Sequence, residues 1–116
     1  MKGNTILETS IQGNISTNSN REKASLWKDN VARSLGSLDI SLFDRQKISV
    51  DVKFWISSKR LRSRHNDLDN LVKPVLDSMK NAGIIYDDSE IYYLQVSKHA
   101  TSDEEHLELL AWEWTC

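Results

Sequence analysis

Three patterns of apolar residues predict the main elements of this chain. The strand-like pattern places an apolar side chain at every second position: Ile48, Val50, Val52, Phe54 and Ile56. A period of two predicts a strand with one buried face. A helix-like pattern follows, with offsets of three and four residues: Leu68, Leu71, Val72, Val75, Leu76 and Met79. Because Pro74 costs least in a first turn, we expect this helix to begin near Asp69, and Gly83 can end it.

A third apolar stripe predicts an earlier helix: Ala24, Trp27, Val31 and Leu35. Ser19 followed by Glu22 has the form of a capping box at its start, and Gly36 can end it. Three further strands are predicted: Ile6–Ile11, Ile91–Lys98 and His106–Trp114. We expect the last two to form a closing hairpin. The order β-α-β-α-β-β predicts a small single α+β domain over residues 1–116, with two helices packed on a mixed sheet.

Length and composition narrow the class of protein. A chain of 116 residues suits one domain. No run approaches the roughly 18 apolar residues of a membrane span, and Met1–Asn20 has no apolar signal core. The single cysteine, Cys116, has no internal partner for a disulfide, which favours a reducing cytoplasm.

Basic residues concentrate in the polar segment Ser57–Asn66, which we predict to be a loop. Four of them are candidate contacts to DNA phosphates: Lys59, Arg60, Arg62 and Arg64. The net charge of −2 gives no overall basic footprint, but the local field is what a nucleic acid meets. A basic run by itself is more often a solvated loop.

Acidic residues gather at both ends of the second predicted helix. Asp67 and Asp69 flank the apolar Leu68 at its start, and Asp87 with Asp88 precede the next strand. If that strand returns beside the start of the helix, one of the latter pair can meet Asp67 and Asp69. Three convergent carboxylates suit Mg²⁺ or Mn²⁺. The chain offers no Cys/His set of the kind that binds zinc.

A purely structural interpretation competes with this metal site. An Asp at a helix start is often only a cap and a partner of the helix dipole. Asp69, Lys73 and Asp77 also follow ordinary i, i+4 salt-bridge spacing, and Asp87 and Asp88 can belong to a simple turn. The position of the basic segment, directly before two carboxylates, favours the functional interpretation.

The same stretch resembles the signature of the RusA family of Holliday-junction resolvases. That signature combines an Asp-x-Asp-Asn at 67–70, a lysine at Lys73, an aspartate at Asp77 and an Asp-Asp pair at 87–88 before the next strand. Every element is present at matching spacing. The signature covers about a quarter of the chain, and the length and the order of elements also agree with the family.

The resemblance implies a function and a role for each residue of the signature. Asp67, Asp69 and Asp88 match the family's metal-binding catalytic carboxylates, Lys73 its essential lysine, and Asp87 a supporting residue. The family cuts four-way DNA symmetrically as a homodimer with Mg²⁺ or Mn²⁺, in DNA recombination and repair. One departure concerns DNA contact, because the family often has a basic residue where this chain has Asn66, and Arg64 or His65 are the candidate substitutes.

Other functions compatible with the sequence remain as alternatives. A non-catalytic DNA-binding module would use the same basic segment without cutting. A metal-dependent nuclease acting on other DNA substrates would share the carboxylates, since spacing does not reveal branch specificity. A phosphatase or glycosyltransferase fits less well, because the Asp-x-Asp follows a polar segment rather than an apolar strand and the chain is short.

Overall fold

A four-stranded sheet with helices packed on it is seen in a computed structural model, which describes residues 2–17, 19–38 and 47–114. The strands are β1 (Lys2–Gln12), β2 (Ile48–Ser57), β3 (Ile91–Thr101) and β4 (His106–Trp114). The helices are α1 (Arg21–Gly36), α2 (Ser58–Leu61) and α3 (Leu68–Asn81), and 3₁₀ turns form at Arg64–Asn66 and Asp88–Glu90. The predicted α+β class is confirmed, with α2 as an additional short helix inside the predicted loop.

The strand order is β1-β4-β2-β3, so the sheet is mixed as predicted. β4 runs antiparallel to β1 and β2, whereas β3 runs parallel to β2. The predicted hairpin of β3 with β4 is wrong, because β2 lies between them. Their short connection crosses the end of β2, where the Glu105 carboxylate accepts a hydrogen bond from the Ser57 N–H at 3.0 Å. Ser57 pairs with Thr101 of β3 but lies beyond the residues of β2 that pair with β4, so Glu105 supplies the acceptor for its N–H.

The hydrophobic core lies between the sheet and the two longer helices. All five inward residues predicted for β2 are fully buried, and so is the whole predicted stripe of α1. In α3 the stripe is narrower than predicted, because Leu68 is 38% exposed and Leu76 is only partly buried. The helices meet where the Ser78 hydroxyl donates to the Lys28 carbonyl oxygen at 3.2 Å.

The helix ends differ from the sequence prediction in two respects. The predicted capping box of Ser19 and Glu22 does not cap α1. The cap is Asn20, whose side chain accepts from the Lys23 N–H at 3.0 Å, and the Ser19 hydroxyl is hydrogen-bonded to the Thr17 hydroxyl at 2.6 Å. α3 begins at Leu68, so Pro74 lies in its second turn rather than its first. The prediction for Gly83 is confirmed: its φ of 77° reverses the chain after α3.

Two predictions about cellular context concern the whole chain. None of the helices in the described ranges is long and apolar enough to cross a bilayer. Cys116 lies outside the described residues, and the cytoplasmic location stays a prediction.

Candidate functional site

The first turn of α3 presents two exposed carboxylates. Asp67 occupies the N-cap position, yet its side chain makes no capping hydrogen bond. Asp69 follows in the first turn and is also exposed. Capping therefore does not explain Asp67, although the positive end of the helix dipole stabilises both charges. Both carboxylates are therefore accessible to a cation or a polar ligand.

Lys73 lies one turn after Asp69 and is exposed. The i, i+4 ion pairs expected from the structural interpretation do not form among the described residues. Asp77 instead lies 4.0 Å from the ammonium of Lys28 and 3.8 Å from that of Lys80. Lys73 thus adds a positive charge one turn from Asp69, and it takes part in none of the ion pairs among the described residues.

The flank of α3 that carries these residues faces away from α1. At about 100° per residue, Asp69, Lys73 and Lys80 fall on one side of the helix, opposite Ser78. Ser78 is hydrogen-bonded to α1, and α3 also packs on β3. Because β3 is an edge strand, this flank lies over the open edge of the sheet.

Asp87 shapes the turn that presents Asp88. Its carboxylate accepts from the Ser89 N–H at 3.1 Å, and the Glu90 side chain accepts from the Asp87 N–H at 2.9 Å. Hydrogen bonds from the side chain and the backbone of Ser89 hold the pKa of the Asp87 carboxyl below its usual value of 3.8. Asp88 is exposed and lies 3.6 Å from the Lys80 ammonium.

The two carboxylate groups lie at opposite ends of the sheet. β3 starts beside Ile48, the first residue of β2, so α3 must run back along the sheet from the end of β2 to the start of β3. Between Asp69 and Lys80, which holds Asp88, the helix rises about 16 Å. In the described ranges no three Asp, Glu, His or Cys residues form a group that could hold a metal ion. One chain therefore does not bring Asp88 to Asp67 and Asp69.

The basic segment is a folded element rather than an open loop. Arg60 forms an ion pair with Glu105 and donates to the Ile15 carbonyl oxygen at 2.6 Å. The other three basic residues predicted to contact DNA are exposed: Lys59, Arg62 and Arg64. Arg60 is therefore engaged within the fold, while three cations face solvent just before α3.

Two residues that the sequence prediction missed hold this segment in place. Lys98 donates to the carbonyl oxygens of Leu61 at 3.1 Å and Asn66 at 3.0 Å. Asn66 is 6% exposed, and its amide donates to the Arg60 carbonyl oxygen at 2.8 Å. Asn66, which stands where the resemblance led us to expect a basic residue, is therefore a buried structural residue. The one sequence signal for Lys98 is its position two residues after Val96 in the predicted strand, which puts both on the same face. In the structure this face is the inward one, and Lys98 aligns with Phe54 of β2.

Comparison with known proteins agrees with the motif. The family model described as endodeoxyribonuclease RusA matches residues 8–109. Proteins named crossover junction endodeoxyribonuclease RusA from Escherichia coli (strain K12) and Escherichia coli (strain UTI89) are 34% identical over 85 residues, which is 72% of this chain and 66% of theirs. The aligned region thus spans just under two thirds of those relatives. Because the family model matches most of the chain, this protein belongs to the endodeoxyribonuclease RusA family.

Proposed function

We propose that this protein is a structure-selective endodeoxyribonuclease that resolves four-way DNA junctions by paired, symmetric cuts. The observation that carries the proposal is the start of α3, where Asp67 and Asp69 carry exposed carboxylates and Lys73 adds a cation beside them. Membership of the RusA family supports the same activity. Its relatives are named for crossover junctions.

The donor set suits Mg²⁺, with Mn²⁺ as a substitute. Asp67, Asp69 and Asp88 would hold the ion through carboxylate oxygens, the ligands that hard divalent cations prefer. When bound, such an ion supplies an activated water and stabilises the leaving oxygen. Lys73 would stabilise the negative charge that develops on the scissile phosphate, and Asp87 would support Asp88 by fixing its turn.

A homodimer would assemble this site from two chains. Because one chain places Asp88 at the opposite end of α3 from Asp67 and Asp69, the third ligand must come from another copy. A twofold axis that sets α3 antiparallel to its copy brings the partner subunit's Asp88 to the start of α3. The same operation creates a second, identical site. Two symmetric sites are what two symmetric cuts require.

The exposed cations of the basic segment would contact the DNA backbone. Lys59, Arg62 and Arg64 lie directly before α3 and are exposed, so phosphates bound there would lie close to the proposed site. Arg60 would act indirectly, because its guanidinium is paired with Glu105. Such contacts position the DNA without reading its sequence.

The decisive experiment is cleavage of a mobile four-way junction in Mg²⁺ and in EDTA, with linear duplex as the control substrate. We expect paired nicks in Mg²⁺ alone and little cutting of the duplex. Asp67→Asn, Asp69→Asn and Asp88→Asn should each abolish cleavage and keep junction binding, since they remove ligands and also negative charge. Asp103→Asn, an exposed carboxylate in the β3–β4 connection, is the matched control and should cleave normally.

Each alternative function predicts a different outcome of that experiment. Binding without metal-dependent nicking would indicate a DNA-binding module. Equal cutting of junction and duplex would indicate a nuclease without branch selectivity. Full activity of any one of the three Asn variants would remove that residue from the site.

A further inference from the structure

We infer that Lys98 is a positioning residue for the proposed site, because its ammonium fixes the backbone from which the Asp67 carboxylate projects. The inference rests on the proposed function, in which Asp67 binds the metal ion. Lys98 belongs to β3 and Asp67 precedes α3, and the backbone of Asn66 connects them. Three observations support this role: the two acceptors of Lys98, the absence of a side-chain cap at Asp67, and the different supports of the other two carboxylates.

The ammonium of Lys98 binds the ends of two short helical elements. Leu61 ends α2, and Asn66 ends the 3₁₀ turn that follows. Lys98 donates to the carbonyl oxygens of these two residues at 3.1 and 3.0 Å. Carbonyl groups at the end of a helix have no partner within it, and a lysine nearby can satisfy them. One side chain therefore joins both ends of the stretch between Leu61 and Asn66 to the sheet.

The other hydrogen bonds of this stretch are local. The Asn66 N–H donates to the Ser63 carbonyl oxygen at 3.0 Å, and the Ser63 N–H donates to that of Arg60 at 3.2 Å. Arg60 anchors the start of the stretch through its ion pair with Glu105. At the end next to Asp67, the bond from Lys98 is the one that ties the backbone to the sheet in the described part of the chain.

The position of the Asp67 carboxylate depends on the backbone that carries it. The Asp67 carbonyl oxygen accepts from the Leu71 N–H at 3.0 Å, which joins it to the first turn of α3. The preceding residue, Asn66, is held by Lys98. The backbone of Asp67 is thus fixed from both sides, whereas its side chain makes no capping hydrogen bond. A ligand held in this way is in place before the ion binds.

The other two proposed ligands have supports of their own. Asp69 lies within the first turn of α3, where the helix itself fixes its backbone. Asp88 lies 3.6 Å from the Lys80 ammonium, in the turn that Asp87 shapes. Neither support involves the Asn66 carbonyl oxygen. Lys98 should therefore act on the metal site through Asp67.

Loss of charge and loss of position predict opposite effects when Lys98 is replaced. An ammonium repels a divalent cation, so removing its charge would by itself strengthen Mn²⁺ binding. Displacing Asp67 would weaken Mn²⁺ binding by about tenfold, which is the effect typical of residues that hold metal ligands in place. The direction of the change in Mn²⁺ affinity therefore distinguishes positioning from electrostatics.

The test is Mn²⁺ binding to the folded protein without DNA, with the free ion measured by electron paramagnetic resonance. Lys98→Met should bind Mn²⁺ about tenfold more weakly, and Lys98→Arg should recover most of the loss, because a guanidinium can also donate to both carbonyl oxygens. Lys98→Gln, which can still donate to one of them, is the second variant if Lys98→Met does not fold. Circular dichroism verifies the fold of every variant.

Two controls separate this role from loss of charge and loss of stability. Lys53→Met removes the same charge from an exposed position of β2, and Val31→Ala removes buried side-chain volume from α1. Both should bind Mn²⁺ as the wild type does. Hydrogen exchange of the Leu71 N–H, which reports its bond to Asp67, should be faster in Lys98→Met than in either control.

The outcomes also separate the inference from the nuclease proposal. Unchanged or stronger Mn²⁺ binding in Lys98→Met, or equal weakening in Val31→Ala, would overturn the positioning role. Mn²⁺ binding that depends on Lys98 in a protein that never cuts a junction would support the role and refute the proposed function. A wild type that cuts a junction without binding Mn²⁺ would overturn the role and leave the nuclease activity standing.

Discussion

Two inactive variants should restore cleavage when they are mixed. One is Asp88→Asn, and the other carries both Asp67→Asn and Asp69→Asn. If each site takes Asp88 from the partner subunit, a mixed dimer joins intact Asp67 and Asp69 of the first variant to intact Asp88 of the second. Its other site has lost all three carboxylates. Sites built within one chain would gain nothing from mixing.

The size of the effect follows from the proposed symmetry. When equal amounts of the two variants exchange subunits at random, half of the dimers are mixed and each has one complete site out of two, so total nicking should reach about a quarter of the wild-type rate. A mixed dimer can cut only one strand. The product should therefore be nicked junction rather than the resolved duplexes that paired cutting produces.

The assay uses a synthetic junction labelled on both continuous strands, with products separated under native and denaturing conditions. Each variant alone measures the background, and native mass spectrometry measures the fraction of mixed dimers. Absence of nicking in a sample that contains mixed dimers would refute assembly of the site across two subunits. Restoration without mixed dimers would point to contaminating wild-type enzyme instead.

Three smaller predictions concern the supporting residues. Arg60→Ala should lower the free energy of unfolding by about 1 kcal/mol, as expected for a part-exposed ion pair, and leave the salt dependence of junction binding unchanged. Arg62→Ala should instead reduce the slope of log affinity against log salt concentration by roughly one unit. Salt titrations of junction binding distinguish the two variants. Lys98→Met should destabilise the protein by about 1–3 kcal/mol, because two carbonyl oxygens lose their donor, and Lys98→Arg should restore part of that loss in urea melts. The pKa of the Asp87 carboxyl is lowered on folding. Its contribution to the free energy of unfolding is therefore present above the unfolded value of 3.8 and lost as pH falls through the folded value. Asp87→Asn should remove this part of the acid sensitivity, which denaturation measured between about pH 2 and 5 would show.

The parts of the fold that the sequence predicted are those where one face of an element is buried. β2 alternates because its inward residues are fully buried, and α1 carries a complete apolar stripe for the same reason. The sequence contains no comparable pattern that shows which strands pair with one another. The apolar pattern of β3 is equally compatible with β4 or β2 as its neighbour, and only the tertiary structure shows that β2 lies between β3 and β4.

In the candidate site, too, the sequence predicted some residues and missed others. Asp67, Asp69 and Lys73 are close in sequence at the start of one helix, so the sequence predicted that they lie near one another, and the resemblance to the RusA family predicted that they share a site. Lys98 and Asn66 were missed, because their importance lies in hydrogen bonds to backbone carbonyl oxygens of residues distant in the chain or in a turn. A carbonyl acceptor has no sequence signature. The ion pair of Arg60 was equally invisible, since Glu105 is far away along the chain.

The position of Asp88 shows how chain connectivity limits a site made by one subunit. Two adjacent parallel strands joined through a helix must place the start and the end of that helix at opposite ends of the sheet. β2, α3 and β3 follow this rule. Carboxylates that precede and follow such a helix are kept apart by its length, and a slight rearrangement of loops does not bring them together. The proposed antiparallel arrangement of two copies would remove the separation at both ends at once. If Asp67, Asp69 and Asp88 form one site, as proposed, the connection between the parallel strands makes a second chain necessary, and the mixing experiment tests this directly.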